Sequence, residues 1–137
     1  MRRSDVETRY PDEYGAWESD PLTCSPRGGE SGLQVMARAL PAIHEIVSAH
    51  TGRTVLVVSH KATIRLVVAS LLGVDARGYR DRLDQAPACL NILDFKDPLR
   101  ARLMLFNDVS HYAQRPIRAD RHLSKWWDAT SDDVTRP

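Results

Sequence analysis

The chain has 137 residues, of which 42% are hydrophobic and 27% are charged, and its formal net charge is +1. These values are typical of one globular domain that is large enough to bury a core. The positive charge consists mainly of arginines spread along the chain, without the basic stripe that nucleic-acid-binding proteins show. We therefore expect no nucleic-acid partner.

The sequence also argues against a membrane or an oxidising compartment. No apolar run is long enough to span a bilayer, and the start MRRSDVETRY lacks the apolar core of a secretory signal. The two cysteines, Cys24 and Cys89, lack metal-ligand spacing, and nothing in the sequence supports a disulfide between them. We predict a cytoplasmic protein with no membrane partner.

Residues 1–30 are polar and rich in turn-forming residues. Prolines and a glycine pair exclude a long regular element in this region. We predict a short helix around Asp12–Trp17, with Tyr10, Tyr14 and Trp17 packing the segment against the body.

A longer helix is predicted to begin at Ser31. Ser31 and Gln34 fit a capping box, in which each residue satisfies an amide group of the other. Apolar residues then recur every three or four positions. Pro41 is expected to kink or split this helix, and Thr51-Gly52 is expected to end it.

The most informative stretch is TVLVVSHKATIRLVVASLL, residues 54–72. The continuous apolar run Val55–Val58 predicts a strand covered on both faces. An apolar helix with a C-cap at Gly73 follows directly. His60 therefore lies between the carboxyl end of a strand and a helix N-terminus, where α/β proteins bind ligands and where free amides favour anions. We predict a phosphate site around His60.

The remaining segments predict a smaller set of elements. Residues 74–88 are rich in arginine and accommodate a short helix. Cys89–Phe95 and Ala101–Asn107 predict two strands, and the intervening Lys-Asp-Pro-Leu turn predicts a hairpin. The tail, residues 113–137, has no clear period, and Trp126 and Trp127 are expected to dock it.

A helix, a strand and a helix in this order predict an α/β fold. We expect a layered sheet of mainly parallel strands with helices on both faces and a C-terminal hairpin. The whole chain, residues 1–137, is predicted to form a single domain.

Four segments together resemble the histidine phosphatase superfamily, also called the phosphoglycerate mutase-like family. They occur in the family's order and span residues 10–112. The segments are YPDEYGAWESDP, the Gly-Gly-Glu-Ser run that ends at Ser31, VLVVSHKATIR, and the pair LNILDF and NDVSHY.

The resemblance implies phosphoryl hydrolysis or transfer on small phosphorylated metabolites through a phosphohistidine. It also implies a nucleophilic histidine in an Arg-His-Gly motif and a carboxylate general acid. Neither is found in this sequence. We therefore expect a truncated version of the fold that begins after both. Its strand at Val55–Ser59 would expose an unpaired apolar edge. Three explanations are open: another copy fills the gap, another chain fills it, or the sequence is a shortened gene product. A homo-oligomer that completes the sheet is our hypothesis.

The same resemblance suggests roles for individual residues. His60 is implied to donate a hydrogen bond to the transferred phosphoryl group, as a catalytic stabiliser. Arg65 and Lys61 are implied to bind phosphate or the substrate's acidic groups. Glu30 belongs to the same set and would orient a cation or His60.

Each of these residues also has a structural interpretation. His60 would bond only to backbone, Arg65 would lie on a solvated helix face, and Lys61 would simply be exposed. Glu30 would only interact favourably with the dipole of the helix that begins beside it. Arg38 is predicted to form a salt bridge, and His111 is predicted to pack.

No pair of the five histidines has the spacing of a metal site with a carboxylate partner. We therefore expect no metal and no cofactor. Three functions remain open: a phosphatase or mutase, a non-catalytic module that binds anions or a partner, and a pocket recruited to other chemistry.

Overall fold

The computed structural model describes residues 3–114. This part of the chain folds into helices and one antiparallel pair of strands. The helices are α1 (Arg3–Arg9), α2 (Pro11–Ser19), α3 (Gly32–Ala49), α4 (Lys61–Leu71) and α5 (Tyr79–Arg82), with a 3-10 helix at Ala76–Gly78 directly before α5. The strands are β1 (Leu90–Asp97) and β2 (Arg100–Asp108).

The predicted short helix in the first thirty residues is confirmed as α2, with Pro11 at its first position, where a missing amide hydrogen costs nothing. Tyr14 is buried, and its ring centroid lies 6.0 Å from that of Trp17. The guanidinium of Arg80 lies 5.2 Å from the Trp17 ring centroid. The Trp17–Arg80 contact joins α2 to α5, and the burial of Tyr14 agrees with its predicted packing role.

Helix α3 begins with the predicted capping box. The Ser31 hydroxyl accepts from the Gln34 amide at 3.3 Å, and the Gln34 side-chain oxygen accepts from the Ser31 amide at 2.8 Å. The amide of Gly32 donates to the Pro21 carbonyl at 2.9 Å. A Cβ at Gly32 would lie 3.1 Å from the Leu22 Cα, so a side chain here would force its neighbours to shift by a few tenths of an ångström.

Pro41 lies inside one continuous helix of 18 residues. The expectation that it splits the helix is therefore wrong. Proline removes one backbone hydrogen bond, and the packing of α3 against α4 keeps the two halves together.

Residues 53–60 form no hydrogen-bonded strand with any described residue. Leu56 is 80% exposed and Val58 is 87% exposed. A strand covered on both faces is thus not observed, and the mainly parallel sheet is not confirmed. The described sheet is the β1–β2 hairpin, whose strands pair with each other and leave the apolar segment without a neighbour. The absence of a neighbouring strand along this segment agrees with the sequence analysis, although the segment itself is not a strand.

Helix α4 carries five consecutive buried residues, Arg65 to Ala69. Consecutive residues point around the whole helix circumference, so α4 must be covered on several sides. It contacts α3, the 3-10 helix, α5 and β2. Leu66 joins Leu22 and Tyr79 in the core. Beyond Leu72, the amides of Gly73 and Val74 donate back to Ser70 and Ala69, which forms the predicted glycine C-cap.

The predicted hairpin is confirmed, with a two-residue connection, Pro98-Leu99. An oxygen of Asp97 accepts from the amides of Leu99 and Arg100, both at 3.0 Å. The short helical segment predicted within residues 74–88 is also present. The predicted docking of Trp126 and Trp127 lies outside the described residues.

Within residues 3–114, no helix combines the length and the apolar character that crossing a membrane requires.

The capping box predicts a measurable loss of stability for Ser31→Ala. Because Ser31 is buried and satisfies the Gln34 amide, we expect the free energy of unfolding to fall by about 1 kcal/mol. Urea denaturation followed by circular dichroism measures this quantity. Ser48→Ala is the matched control on the exposed side of the same helix, with an expected change within about 0.5 kcal/mol. Equal effects of the two substitutions would contradict the role of the cap.

Candidate functional site

His60 occupies the N-cap position of α4 and is exposed. Its backbone is extended, with φ −100° and ψ 150°, and its side chain makes no capping hydrogen bond. Its carbonyl accepts the first bond of the helix, from the Ile64 amide at 2.9 Å. The backbone of His60 is thus held by the helix, while its imidazole faces solvent.

The first amides of α4 lack partners from outside the helix. Among the described residues, nothing beyond the helix accepts from the amides of residues 61–63. Helix α3 differs, because its first amides donate to Pro21, Leu22 and Ser31. Unpaired amides and the helix dipole make such an N-terminus suitable for an anion.

Lys61 and Arg65 converge on one carboxylate, that of Asp84. Arg65 Nη2 lies 3.4 Å from Asp84 Oδ1, and Lys61 Nζ lies 3.7 Å from the same oxygen. The two cations are four residues apart and therefore lie on one side of the helix. The structure thus brings His60, Lys61 and Arg65 together on the first two turns of α4.

Arg65 is buried, with a side chain only 7% exposed. Its interpretation as a residue on a solvated helix face is therefore wrong. Burial lowers the pKa of the guanidinium, and the nearby charge of Asp84 opposes that shift. The Arg65 Nε is buried and has no hydrogen-bond partner within residues 3–114. One N–H donor of this guanidinium is therefore unpaired among the described residues.

A polar network that sequence reasoning missed fixes the position of Asp84. The Gln85 amide donates to Asp84 Oδ1 at 2.8 Å, and the side chain of Gln85 is almost wholly buried. Gln85 Nε2 donates to Asn91 Oδ1 at 2.7 Å. The Asn107 amide donates to the same Asn91 oxygen at 2.9 Å. No sequence signal identifies this network, because its members lie on separate elements.

Glu30 forms a bidentate ion pair with Arg38. Arg38 Nε and Nη2 each lie 2.8 Å from a carboxylate oxygen of Glu30, which confirms the salt bridge predicted for Arg38. These hydrogen bonds lower the pKa of Glu30. The cation that Glu30 contacts is thus Arg38, and within residues 3–114 no hydrogen bond or ion pair joins Glu30 to His60.

His111 lies beside Tyr112 at the end of the hairpin. Their ring centroids are 4.8 Å apart in an edge-to-face arrangement, although the histidine is exposed. Within residues 3–114, no three His, Cys, Asp or Glu side chains form a group that could hold a metal ion.

Two relatives resemble this chain over about half its length. A phosphoserine phosphatase 1 from Hydrogenobacter thermophilus is 35% identical over 75 residues, which cover 55% of this chain and 36% of the relative. A glucosyl-3-phosphoglycerate phosphatase from Mycolicibacterium vanbaalenii is 35% identical over 81 residues, covering 54% of this chain and 36% of the relative. The match thus spans about a third of each relative's length.

A solved structure and a family profile extend this similarity. The structure of Bacillus stearothermophilus YhfR superposes with a TM-score of 0.73 at 23% identity, covering 81% of this chain and 55% of that protein. This likeness shows a shared α/β fold. The profile of the histidine phosphatase superfamily (branch 1) matches residues 1–109. With most of its sequence inside that profile, this chain belongs to the histidine phosphatase superfamily.

Proposed function

We propose that this chain carries the phosphate-binding part of a histidine phosphatase site for small phosphorylated metabolites. The observation that carries the proposal is the open N-terminus of α4, where an exposed His60 lies beside amides that have no partner outside the helix in the described region. Its membership of the superfamily supports the same interpretation.

In this proposal His60 stabilises the phosphoryl group during transfer. The transition state spreads negative charge over the equatorial oxygens of phosphorus. A donor placed where this charge develops lowers the barrier without forming a covalent bond. The helix amides add partial positive charge at the same point. The proposal assigns the phosphohistidine nucleophile to no residue of this sequence, which has no Arg-His-Gly motif.

The cationic residues are proposed to bind the phosphate or the acidic groups of the substrate. Lys61 is half-exposed and is held by Asp84 only at 3.7 Å, so its ammonium can turn towards a ligand. Arg65 has an unused Nε donor. Glu30 is proposed to act through Arg38, whose guanidinium it orients.

The named activities of the relatives support the substrate class. One is a phosphoserine phosphatase and the other a glucosyl-3-phosphoglycerate phosphatase. We extend to this chain only what these activities share, which is hydrolysis of a small phosphorylated metabolite. A single domain over residues 1–137, a cytoplasmic location and the absence of a nucleic-acid partner stay predictions.

The first prediction of the proposal concerns turnover of an aryl phosphate such as p-nitrophenyl phosphate. Turnover requires a nucleophile in addition to His60. Where the wild type shows turnover, we expect His60→Ala to lower kcat by on the order of 100-fold or more, because His60 would stabilise transition-state charge. His50→Ala is the matched control, since His50 is an exposed histidine at the C-terminal end of α3, outside the proposed site. Equal turnover in wild type and His60→Ala would rule out catalysis through His60.

A non-catalytic module that binds anions is the second candidate function. The open α4 terminus supports anion binding whether or not chemistry follows. We expect inorganic phosphate to raise the free energy of unfolding by about 2.7 kcal/mol at roughly 100 times its Kd. Thermal denaturation at increasing phosphate measures this. Protection without turnover would favour the binding module, and no protection would contradict both candidates.

We also propose that a second copy of the chain covers the exposed apolar segment. Leu56 and Val58 alternate with the less exposed Val55 and Val57, as expected for an extended chain with one side against the body. Its amide and carbonyl groups have no strand partner among the described residues. An unpaired apolar edge of this kind favours association with another strand.

This association predicts a mass of twice 15.4 kDa for the wild-type chain in solution. Val58→Lys places a charge on the apolar edge and is expected to give the monomer mass. Leu99→Lys is the matched control, because Leu99 is 73% exposed in the hairpin turn, away from this segment. Light scattering after size-exclusion chromatography measures all three proteins. A monomeric wild type at micromolar concentration would contradict the proposal.

A further inference from the structure

We propose that Asp84 is a positioning residue for the phosphate site, which it aligns by anchoring the first two turns of α4. The inference rests on the proposed function for its consequence in binding, and on the ion pairs of Asp84 with Lys61 and Arg65 for its geometry. Asp84 belongs to none of the motifs that the sequence analysis singled out.

The placement of His60 depends on α4 because the preceding segment offers little support. Residues 53–60 pair with no described strand. The backbone contact that fixes His60 is the bond from the Ile64 amide to its carbonyl. Any group that holds the first turns of α4 therefore also sets the position of the imidazole and of the free amides.

Asp84 holds these turns through two cations on one helix side. Its Oδ1 lies 3.4 Å from Arg65 Nη2 and 3.7 Å from Lys61 Nζ. The ion pair with Arg65 contributes more to holding the helix than the ion pair with Lys61. The Arg65 side chain is buried, whereas the Lys61 side chain is half-exposed and its charge is more strongly screened by solvent. A carboxylate beside a helix N-terminus also interacts favourably with the helix dipole.

Asp84 is itself connected to the hairpin. The buried Gln85 donates its amide to Asp84 and its side-chain nitrogen to Asn91 on β1. Asn91 in turn accepts from the amide of Asn107 on β2. The carboxylate therefore joins α4 to the base of the hairpin, and Arg65 is the buried end of that connection.

A positioning role and simple electrostatics predict opposite results when the charge of Asp84 is removed. Coulomb repulsion between Asp84 and a bound phosphate would make Asp84→Asn bind phosphate more tightly. Loss of alignment would make it bind phosphate more weakly, because the helix amides and the imidazole would no longer meet the anion together. Whether the phosphate Kd of Asp84→Asn rises or falls therefore distinguishes a positioning role from simple electrostatics.

The test compares Asp84→Asn with wild type by calorimetric titration with inorganic phosphate. We expect the Kd to rise by about tenfold, which corresponds to a loss of about 1.4 kcal/mol in binding free energy. Asp94→Asn is the matched control, since it removes the same charge from an exposed position on β1 and is expected to leave the Kd unchanged. An unchanged or lower Kd in Asp84→Asn would overturn the proposal.

A second measurement needs no ligand and uses amide hydrogen exchange. We expect the Ile64 amide to exchange faster in Asp84→Asn, while the Leu72 amide at the other end of α4 is unchanged. Arg65→Met removes the same ion pair but keeps an apolar side chain of similar length, and it serves if Asp84→Asn fails to fold. Unchanged Ile64 exchange in both variants would overturn the inference.

The two proposals fail in different ways. A wild-type chain that binds no phosphate contradicts the proposed function, while faster Ile64 exchange would still support anchoring by Asp84. Normal phosphate binding in Asp84→Asn contradicts the positioning role and leaves the phosphate site intact.

Discussion

The burial of helix α4 is the constraint on which the rest of the structure depends. Five consecutive residues, Arg65 to Ala69, are buried, so the helix is covered by α3, by the 3-10 helix and α5, and by β2. A helix enclosed in this way cannot shift without disturbing every neighbour. The middle of α4 is therefore held in one position, whereas its first turn, where His60 lies, is exposed or half-buried and depends on further contacts such as the ion pairs of Asp84.

The two longest helices of the described region use their N-termini differently. The first amides of α3 are satisfied by Ser31 and by the carbonyls of Pro21 and Leu22, so that end contributes stability and connects α3 to the preceding loop. The first amides of α4 have no such partners within residues 3–114. Because free amides at a helix start attract anions, this contrast distinguishes a structural helix start from a candidate binding site.

Polar side chains connect the hairpin to the helices. The core cluster of Leu22, Leu66 and Tyr79 is small, and the loop before β1 is held instead by Gln85, Asn91 and their partners. Polar contacts of this kind have strict geometry, which suits a loop whose carboxylate must meet two cations on α4.

Much of the local structure and one part of the site were determined by the sequence alone. The capping box at Ser31, the C-cap at Gly73 and the hairpin are confirmed because each depends on residues close together in the chain. The same holds for His60 at the start of α4, since a strand-like run and an apolar helix adjoin there. The four motifs were likewise sufficient to indicate the family.

Only the tertiary structure decided which groups meet along the first two turns of α4. It showed that Arg65 is buried, that Asp84 pairs with it, and that Val55–Val58 is exposed. None of these follows from local pattern, because burial and pairing depend on elements distant in the chain. An apolar run predicts a covered strand, but the covering must come from another segment, and the described residues supply none.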